Sequence, residues 1–350
     1  MKDCLSIKKF HDLIAEAALK NDTVCSATIE LLDICNFKCS HCYIKDCYHY
    51  FMSYDKFCSI VDELKQAGCI WLLLTGGEIT KHPEFKKMYL YAYHSGMRIT
   101  LFTNGSFNDD SILDMLTKYP PELVEITLYG YDELSYCGVT KSSGNFYRVL
   151  YNITTLRNRE INLGLKCVIT KDVLPYFDKI ERLADELHIP FRFDGFILPR
   201  ADGNCECQNQ RLSPDEVFKF DKKRKNIEAR IKESYKKATQ STNLLYSCGA
   251  GKNSLFIDAR AMMYICMMSR NIVYDLNSEC SSIEKGRKFF KQEMTKLRPL
   301  MPNDQCFNCK LRPICRYCPG EFVAETNSLY VPSPWHCQYT HLLYNEYEKS

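Results

Sequence analysis

Short apolar and β-branched runs alternate with amphipathic stretches through the first two hundred residues. Runs at 28–34, 70–75, 98–103, 123–129, 163–170 and 190–197 have the length and residue types of strands. Between them Tyr54–Ala67, His82–His94, Asn108–Lys118, Asn145–Arg159 and Tyr176–Leu187 carry helical patterns. Strand and helix in alternation predict an α/β fold, a parallel sheet with helices outside it. Six such units cannot close a full eight-stranded barrel, but ligands are still expected at the C-terminal ends of the strands. On the last strand Arg192 and Asp194 share one side and Phe191 and Phe193 the other. Those two charges are expected to pair with each other or with a neighbour unless a substrate uses them. Tyr129 and Tyr131 at the end of the fourth strand line a channel or cap the core.

The flanking segments read differently. Residues 1–24 hold an amphipathic set, Ile7, Phe10, Leu13, Ile14, Ala17 and Ala18, which predicts a helix packed on the rest. Residues 201–211 are polar and turn-rich, a linker or loop. Residues 213–240 predict a charged helix opened by Ser213-Pro-Asp-Glu, with its basic run at 222–237 as a solvated face. Asn253 to Ile265 predicts two short strands about a turn.

Composition narrows the class. The 350 residues can bury a large core, and 46 basic against 43 acidic residues leave a net charge of +3. Nothing there calls for nucleic acid or an anionic membrane as partner. The longest strongly apolar run, Ile70 to Leu74, is far too short to span a bilayer, and Met1 to Lys20 has no signal-peptide core. With no secretion signal, 20 cysteines imply a reducing, oxygen-poor cytoplasm rather than disulfides.

The chemistry begins at Cys35-Asn-Phe-Lys-Cys39-Ser-His-Cys42. Three thiolates on one loop suit a cubane cluster of four irons and leave one iron open to a small molecule. Structural zinc also takes Cys-x2-Cys spacings but closes its site with four ligands. The loop follows the first strand, and the second strand ends in Gly76-Gly77-Glu78, where glycines allow close backbone approach.

In this order and spacing the two motifs make the chain resemble the radical S-adenosylmethionine (SAM) enzymes. The resemblance implies a partial (β/α)6 barrel over residues 25–200. It implies a 4Fe–4S cluster on Cys35, Cys39 and Cys42 whose open iron chelates SAM, with Gly76, Gly77 and Glu78 at the amino group of SAM. Asn104, Thr127 and Lys166 occupy strand-end positions that contact SAM in the family; the simpler alternatives are turn chemistry for Asn104 and a pleat-facing polar residue for Thr127 and for Lys166. His41 fills a place usually aromatic, and is expected to pack near adenine.

A second array follows: Cys248, Cys266, then Cys306-x2-Cys309-x5-Cys315-x2-Cys318, and Cys337. Zinc would explain four of these; seven fit two iron–sulfur clusters better. The array resembles the SPASM extension, here residues 248–345, joined to the barrel by a linker and bridging helix at 201–247. By position Cys306, Cys309, Cys315 and Cys337 complete one auxiliary cluster. Cys248, Cys266 and Cys318 hold the other, one ligand short unless Cys205 or Cys207 completes it. Two departures stand out. Ala261 replaces a usual glycine and asks for a different turn geometry, and only two residues separate Cys315 from Cys318 where three are common. Cys4, Cys25, Cys47, Cys58, Cys69, Cys137, Cys167 and Cys280 are expected to be small buried hydrophobes.

Taken together the resemblance implies SAM and three 4Fe–4S clusters as cofactors and a flavodoxin- or ferredoxin-type electron donor. It implies an enzyme that cleaves SAM reductively to a 5′-deoxyadenosyl radical and oxidatively crosslinks a ribosomally made peptide. A thioether is the first choice, because an open auxiliary iron would bind a substrate thiolate; a carbon–carbon or aromatic crosslink is second. The peptide is presented by a separate leader-binding protein or read by the barrel directly. Three rivals remain. Anaerobic sulfatase maturases have an aspartate after the second array cysteine, where this chain has Met267-Met268. Haem-modifying relatives do not account for Cys248 and Cys266. A non-enzymatic metal-binding protein has no use for an open-site cluster.

Overall fold

The computed structural model describes residues 7–44, 49–223, 245–246, 248–312, 314–315 and 317–349. Cys4, Cys47 and the basic run from residue 224 onward lie outside the described residues. Helix α1 (Ile7–Lys20) leads into six strands: β1 (Ser26–Glu30), β2 (Trp71–Thr75), β3 (Arg98–Thr103), β4 (Leu123–Thr127), β5 (Leu163–Val168) and β6 (Phe191–Asp194). They pair in parallel in chain order. Helices α2 (Tyr54–Gln66), α3 (Phe85–His94), α4 (Asp110–Lys118), α5 (Glu133–Thr140), α6 (Phe146–Asn158) and α7 (Phe177–Glu186) fill the connections.

The strands alternate, and the alternation divides labour between the two faces of the sheet. Ala27, Ile29, Leu72, Leu74, Ile99, Leu101, Val124, Ile126 and Leu165 are buried in one core with Phe57, Leu64, Met88 and Ile153 of the helices. The opposite face carries polar chemistry, with Thr127, Lys166 and Arg192 aligned at one level across β4, β5 and β6. A parallel sheet covered by apolar groups on both faces would read as continuous hydrophobic runs; this one keeps a polar face.

Beyond α8 (Pro214–Lys223), β7 (Ser254–Ile257) pairs in parallel with the free edge of β1, with Ala27 opposite Leu255. Strands β8 (Met262–Cys266) and β9 (Ser269–Asp275) follow antiparallel, so the sheet runs β6-β5-β4-β3-β2-β1-β7-β8-β9. Ala261 in the β7–β8 turn takes φ 57, so the turn expected to change shape keeps the left-handed conformation natural to glycine. That costs roughly 1–2 kcal/mol, offset by Asp258, whose carboxylate accepts the N–H groups of Arg260 (2.9 Å) and Met262 (3.0 Å). Helices α9 (Ile283–Lys296), α10 (Pro319–Thr326) and α11 (Pro334–Lys349) complete the chain.

Two expectations are corrected. Helix α1 packs through Ala18 and through His11 and Phe10, both against Trp71, although Phe10 and Leu13 of the expected apolar set stay half-exposed. His11 lies 4.4 Å from the Trp71 ring, and Asn253 donates to the Ala15 carbonyl at 2.9 Å, which together fix the helix's rotation. Cys25, Cys69 and Cys167 are buried as expected, but Cys58 and Cys137 are half-buried and Cys280 is exposed. Cys280 sits at φ 59 in a surface turn, where no core is in reach. No described helix is long and apolar enough to cross a membrane.

Candidate functional site

Leaving β1, the chain runs directly against the end of β2. The amide of Gly77 donates to the Leu32 carbonyl and that of Glu78 to the Ile34 carbonyl, both at 2.9 Å. A Cβ on Gly76 (φ 148) would sit 2.3 Å from the Leu32 oxygen, and one on Gly77 2.1 Å from the Ile34 oxygen. Only glycine admits this contact. The close approach is therefore to the protein's own cysteine loop, whose entry is zipped onto the Gly-Gly pair.

Glu78 is fully buried. Its Oε1 accepts the Thr80 amide (3.1 Å) and the hydroxyls of Thr80 and Thr103 (both 2.7 Å), and its Oε2 accepts the Asn104 amide at 2.6 Å. One carboxylate thus ties the end of β2 to the end of β3. Asn104 passes the brace onward: its Nδ2 donates to Asn36 Oδ1 at 3.0 Å and lies 3.6 Å from Cys35 Sγ. The Phe37 amide donates to the same sulfur at 3.3 Å. Burial pushes the Cys35 thiol up to about 12, and the Phe37 donor opposes it. Donors aimed at the sulfur suit a thiolate ligand, which metal binding must generate by displacing the proton.

A substitution tests the brace. Glu78→Gln replaces one acceptor oxygen by a donor facing the amide of Asn104 or the two threonines, and bonds to a charged acceptor contribute about 1.5–3 kcal/mol each. We expect weaker SAM binding with iron retained, measured by equilibrium binding and iron content. Parental affinity for SAM in this variant would show that Glu78 does not shape the SAM site.

His41 is buried, with Nε2 2.7 Å from the Tyr129 hydroxyl and its ring edge-on to Tyr129 at 4.9 Å. Burial pushes it down to about 4, so it is neutral, and its Nδ1 has no partner among the described residues. A buried nitrogen left unmet is costly and suits a bound group supplying the partner. Lys166 holds its ammonium 3.2 Å from the centre of the Phe102 ring; burial pushes it down to about 7, against the pull of Glu125. Arg192 pairs with Glu125 on β4, with one N–O contact at 2.9 Å, so the neighbour rather than Asp194 takes the charge. Asp194 accepts the Phe196 amide at 2.8 Å.

A bridge that sequence reasoning missed joins this loop to the C-terminal array. Tyr43, next to Cys42, donates to Glu30 at 2.8 Å, and Glu30 lies 3.4 Å from Arg270. Arg270 donates to the Met267 carbonyl at 3.2 Å and stacks its guanidinium 4.8 Å from the Phe256 ring. Burial raises the Glu30 carboxyl, and Arg270 opposes it. A glutamate closing a strand whose neighbours Ile29 and Leu31 are apolar was the available signal.

Cys248, Cys266 and Cys318 all act electrostatically on the Tyr246 phenol, which burial pushes up to about 12. Cys318 precedes α10, where the amides of Glu321 and Gly320 favour its thiolate, while burial pushes it up to about 11. Cys266 accepts the Met268 amide at 3.2 Å. Cys306, Cys309, Cys315 and Cys337 line one pocket. Cys207 is buried and donates to the Leu198 carbonyl at 3.0 Å, and Cys205 is exposed with the Gly203 carbonyl at 3.6 Å. Among the described residues no three His, Cys, Asp or Glu side chains converge as ligands of one ion. Cluster ligands need not, because each thiolate of a cubane binds a different iron.

Compared with known proteins, residues 29–187 match the family model described as the radical SAM superfamily. Residues 29–187 are a radical SAM domain. This radical SAM protein is 22% identical over 321 residues to the antilisterial bacteriocin subtilosin biosynthesis protein AlbA of Bacillus subtilis, covering 86% of the chain and 68% of AlbA. It is 28% identical over 187 residues to the Fe-coproporphyrin III synthase of Methanosarcina barkeri, covering 52% of the chain but only 46%, about half, of that relative. Among solved structures, Streptococcus suis SuiB bound to its precursor peptide SuiA superposes with a TM-score of 0.67 at 14% identity, over 97% of this chain and 83% of SuiB. At that identity the likeness establishes a shared fold.

Proposed function

We propose that this radical SAM protein is a peptide maturase that oxidatively crosslinks a ribosomally made peptide, with a thioether as product. Cys35, Cys39 and Cys42 would hold the SAM-binding 4Fe–4S cluster. Cys306, Cys309, Cys315 and Cys337 would hold a complete auxiliary cluster, and Cys248, Cys266 and Cys318 a second with one ligand missing. When bound, the first cluster and SAM supply a 5′-deoxyadenosyl radical able to abstract hydrogen from an unactivated carbon.

The chain's own residues do the rest. Gly76 and Gly77 seat the cysteine loop, and Glu78 with Asn104 brace it from β2 and β3. His41 offers an unmet Nδ1 at the place proposed for adenine. Thr127 and Lys166, aligned on the polar face, are proposed SAM contacts. The observation that carries the reading is the pocket shared by Cys306, Cys309, Cys315 and Cys337, in a chain whose likeness to AlbA spans 86% of its length. The haem-modifying reading is favoured by the coproporphyrin synthase match, but that match covers only 52% of the chain and leaves Cys248 and Cys266 without a role.

The test is a product. Anaerobically reconstituted protein, SAM and a one-electron reductant (chemical, or a flavodoxin- or ferredoxin-type donor) are incubated with short cysteine-containing peptides encoded beside the protein. The expected product is lighter by about two hydrogens, with loss of one free thiol, as thioether formation from S–H and C–H requires. A crosslink formed equally well in a peptide lacking cysteine would exclude the thioether. Modification of a porphyrin and of no peptide would exclude the maturase.

A further inference from the structure

One buried polar pair near the auxiliary cysteines has no part in the reading above. Glu321 and His336 are 3% and 1% exposed. Glu321 stands in the first turn of α10 and His336 in the first turn of α11. His336 Nδ1 lies 3.0 and 2.9 Å from the two carboxylate oxygens, and its Nε2 lies 3.3 Å from Cys315 Sγ. One turn further along α11, the Thr340 hydroxyl lies 3.8 Å from the same sulfur, but its proton has a better acceptor in the His336 carbonyl at 2.9 Å. His336 is therefore the principal side-chain donor to that sulfur. Around the pair are Phe322 and Phe196, whose rings lie 5.8 and 6.2 Å from the imidazole.

A charged or strongly polar pair in such surroundings is expensive, and well-packed apolar residues often replace one without loss of stability. Something other than stability accounts for it. Proton placement leaves one arrangement once Cys315 is an iron ligand, because a metal-bound thiolate has no hydrogen to offer. The side of His336 facing Glu321 shares a proton with the carboxylate. The side facing the sulfur must then carry hydrogen itself, whichever member of the Glu321–His336 bond holds the other proton. A lone pair aimed at a thiolate would be repelled.

We propose that His336, held by Glu321, donates a hydrogen bond to Cys315 and so raises the reduction potential of the auxiliary cluster on Cys306, Cys309, Cys315 and Cys337. This rests on the cluster assignment proposed above. A donor to a ligand sulfur stabilises the extra negative charge of the reduced cluster, and hydrogen bonds to sulfur are among the terms that set such potentials. In a buried, low-dielectric setting the bond counts for more than it would in water. The consequence for the proposed reaction is direct. Joining S–H to C–H releases one hydrogen atom to the deoxyadenosyl radical, one proton, and one electron. An auxiliary cluster with a raised potential would be able to take up that electron, passing from its oxidised to its one-electron-reduced state. His336 is a positioning residue, acting through Cys315.

The experiment is an anaerobic redox titration followed by electron paramagnetic resonance, on the reconstituted full chain and on His336→Leu, His336→Phe and His336→Gln. Leucine and phenylalanine remove the donor, whereas glutamine keeps an N–H that can serve the sulfur. The first two variants are expected to keep their iron and to lower the midpoint potential of one cluster signal, with the others unmoved, and glutamine is expected to restore part of that shift. An unmoved potential in a donor-free variant that keeps its iron would overturn the inference, as would loss of one cluster's iron in both donor-free variants. If leucine prevents folding, His336→Phe decides by the same criterion. Parental protein that holds only the iron of the first cluster would overturn the cluster assignment itself, and the inference with it.

Discussion

Replacing Cys35, Cys39 and Cys42 together by alanine is expected to remove about four of about twelve irons per chain, one cubane of three, and to abolish SAM cleavage. The irons of the C-terminal cysteines should remain. Separation of the sites in the fold is the reason. The first loop hangs between the ends of β1, β2 and β3, held by Gly77, Glu78 and Asn104, and in the proposed assignment it would contribute no ligand to the array beyond β7. Iron analysis and formation of 5′-deoxyadenosine measure the two quantities independently. Persistent 5′-deoxyadenosine would place the SAM site elsewhere. Bound zinc with only about four irons in the parental protein would end the reading of two auxiliary clusters.

Gly77→Ala should come close to the triple cysteine variant without touching a proposed ligand. The added Cβ would lie 2.1 Å from the Ile34 oxygen, 2.4 Å from its carbonyl carbon and 2.9 Å from the Cys35 nitrogen. All three are backbone atoms, so no side chain can swing aside and the cysteine loop itself must move. A displacement near 1 Å at a reacting centre can cost on the order of a hundredfold in rate. We expect SAM cleavage to fall at least about a hundredfold, with partial loss of the first cluster. Gly164→Ala is the matched control on the same sheet, since its Cβ would meet nothing nearer than 3.7 Å. Equal activity in the two variants would mean that the Gly-Gly contact does not set the loop.

The sequence made the repeating part of this fold legible because each strand and helix announces itself locally. Runs such as Trp71–Thr75 and Arg98–Thr103 needed no partner to be recognised. Boundaries shifted where backbone chemistry intervened. The helix expected from His82 begins at Phe85, because Pro83 holds His82 extended at ψ 125. Helix α5 was missed although Asp132 and Ser135 form a capping box at its start; the following residues have little apolar periodicity. Strand β9 was missed because its burial does not alternate cleanly.

At the site, residue types and spacing singled out Cys35, Cys39, Cys42 and Gly76-Gly77-Glu78, since those motifs are contiguous in the chain. Contacts between distant segments were not legible. Glu30 to Arg270, Arg192 to Glu125 and His336 to Cys315 and Glu321 each depend on which strands and helices become neighbours. No local pattern encodes that.

The pairing of β7 with β1 has a consequence for anyone dissecting the protein. A fragment ending near residue 200 would keep every element from β1 to β6, yet would present the backbone of Ser26–Ile29 to solvent as an uncovered template. Exposed strand edges recruit other chains. Such a fragment is expected to assemble edge to edge and come out of solution, while a cut placed in the turn after β9 would leave that edge protected.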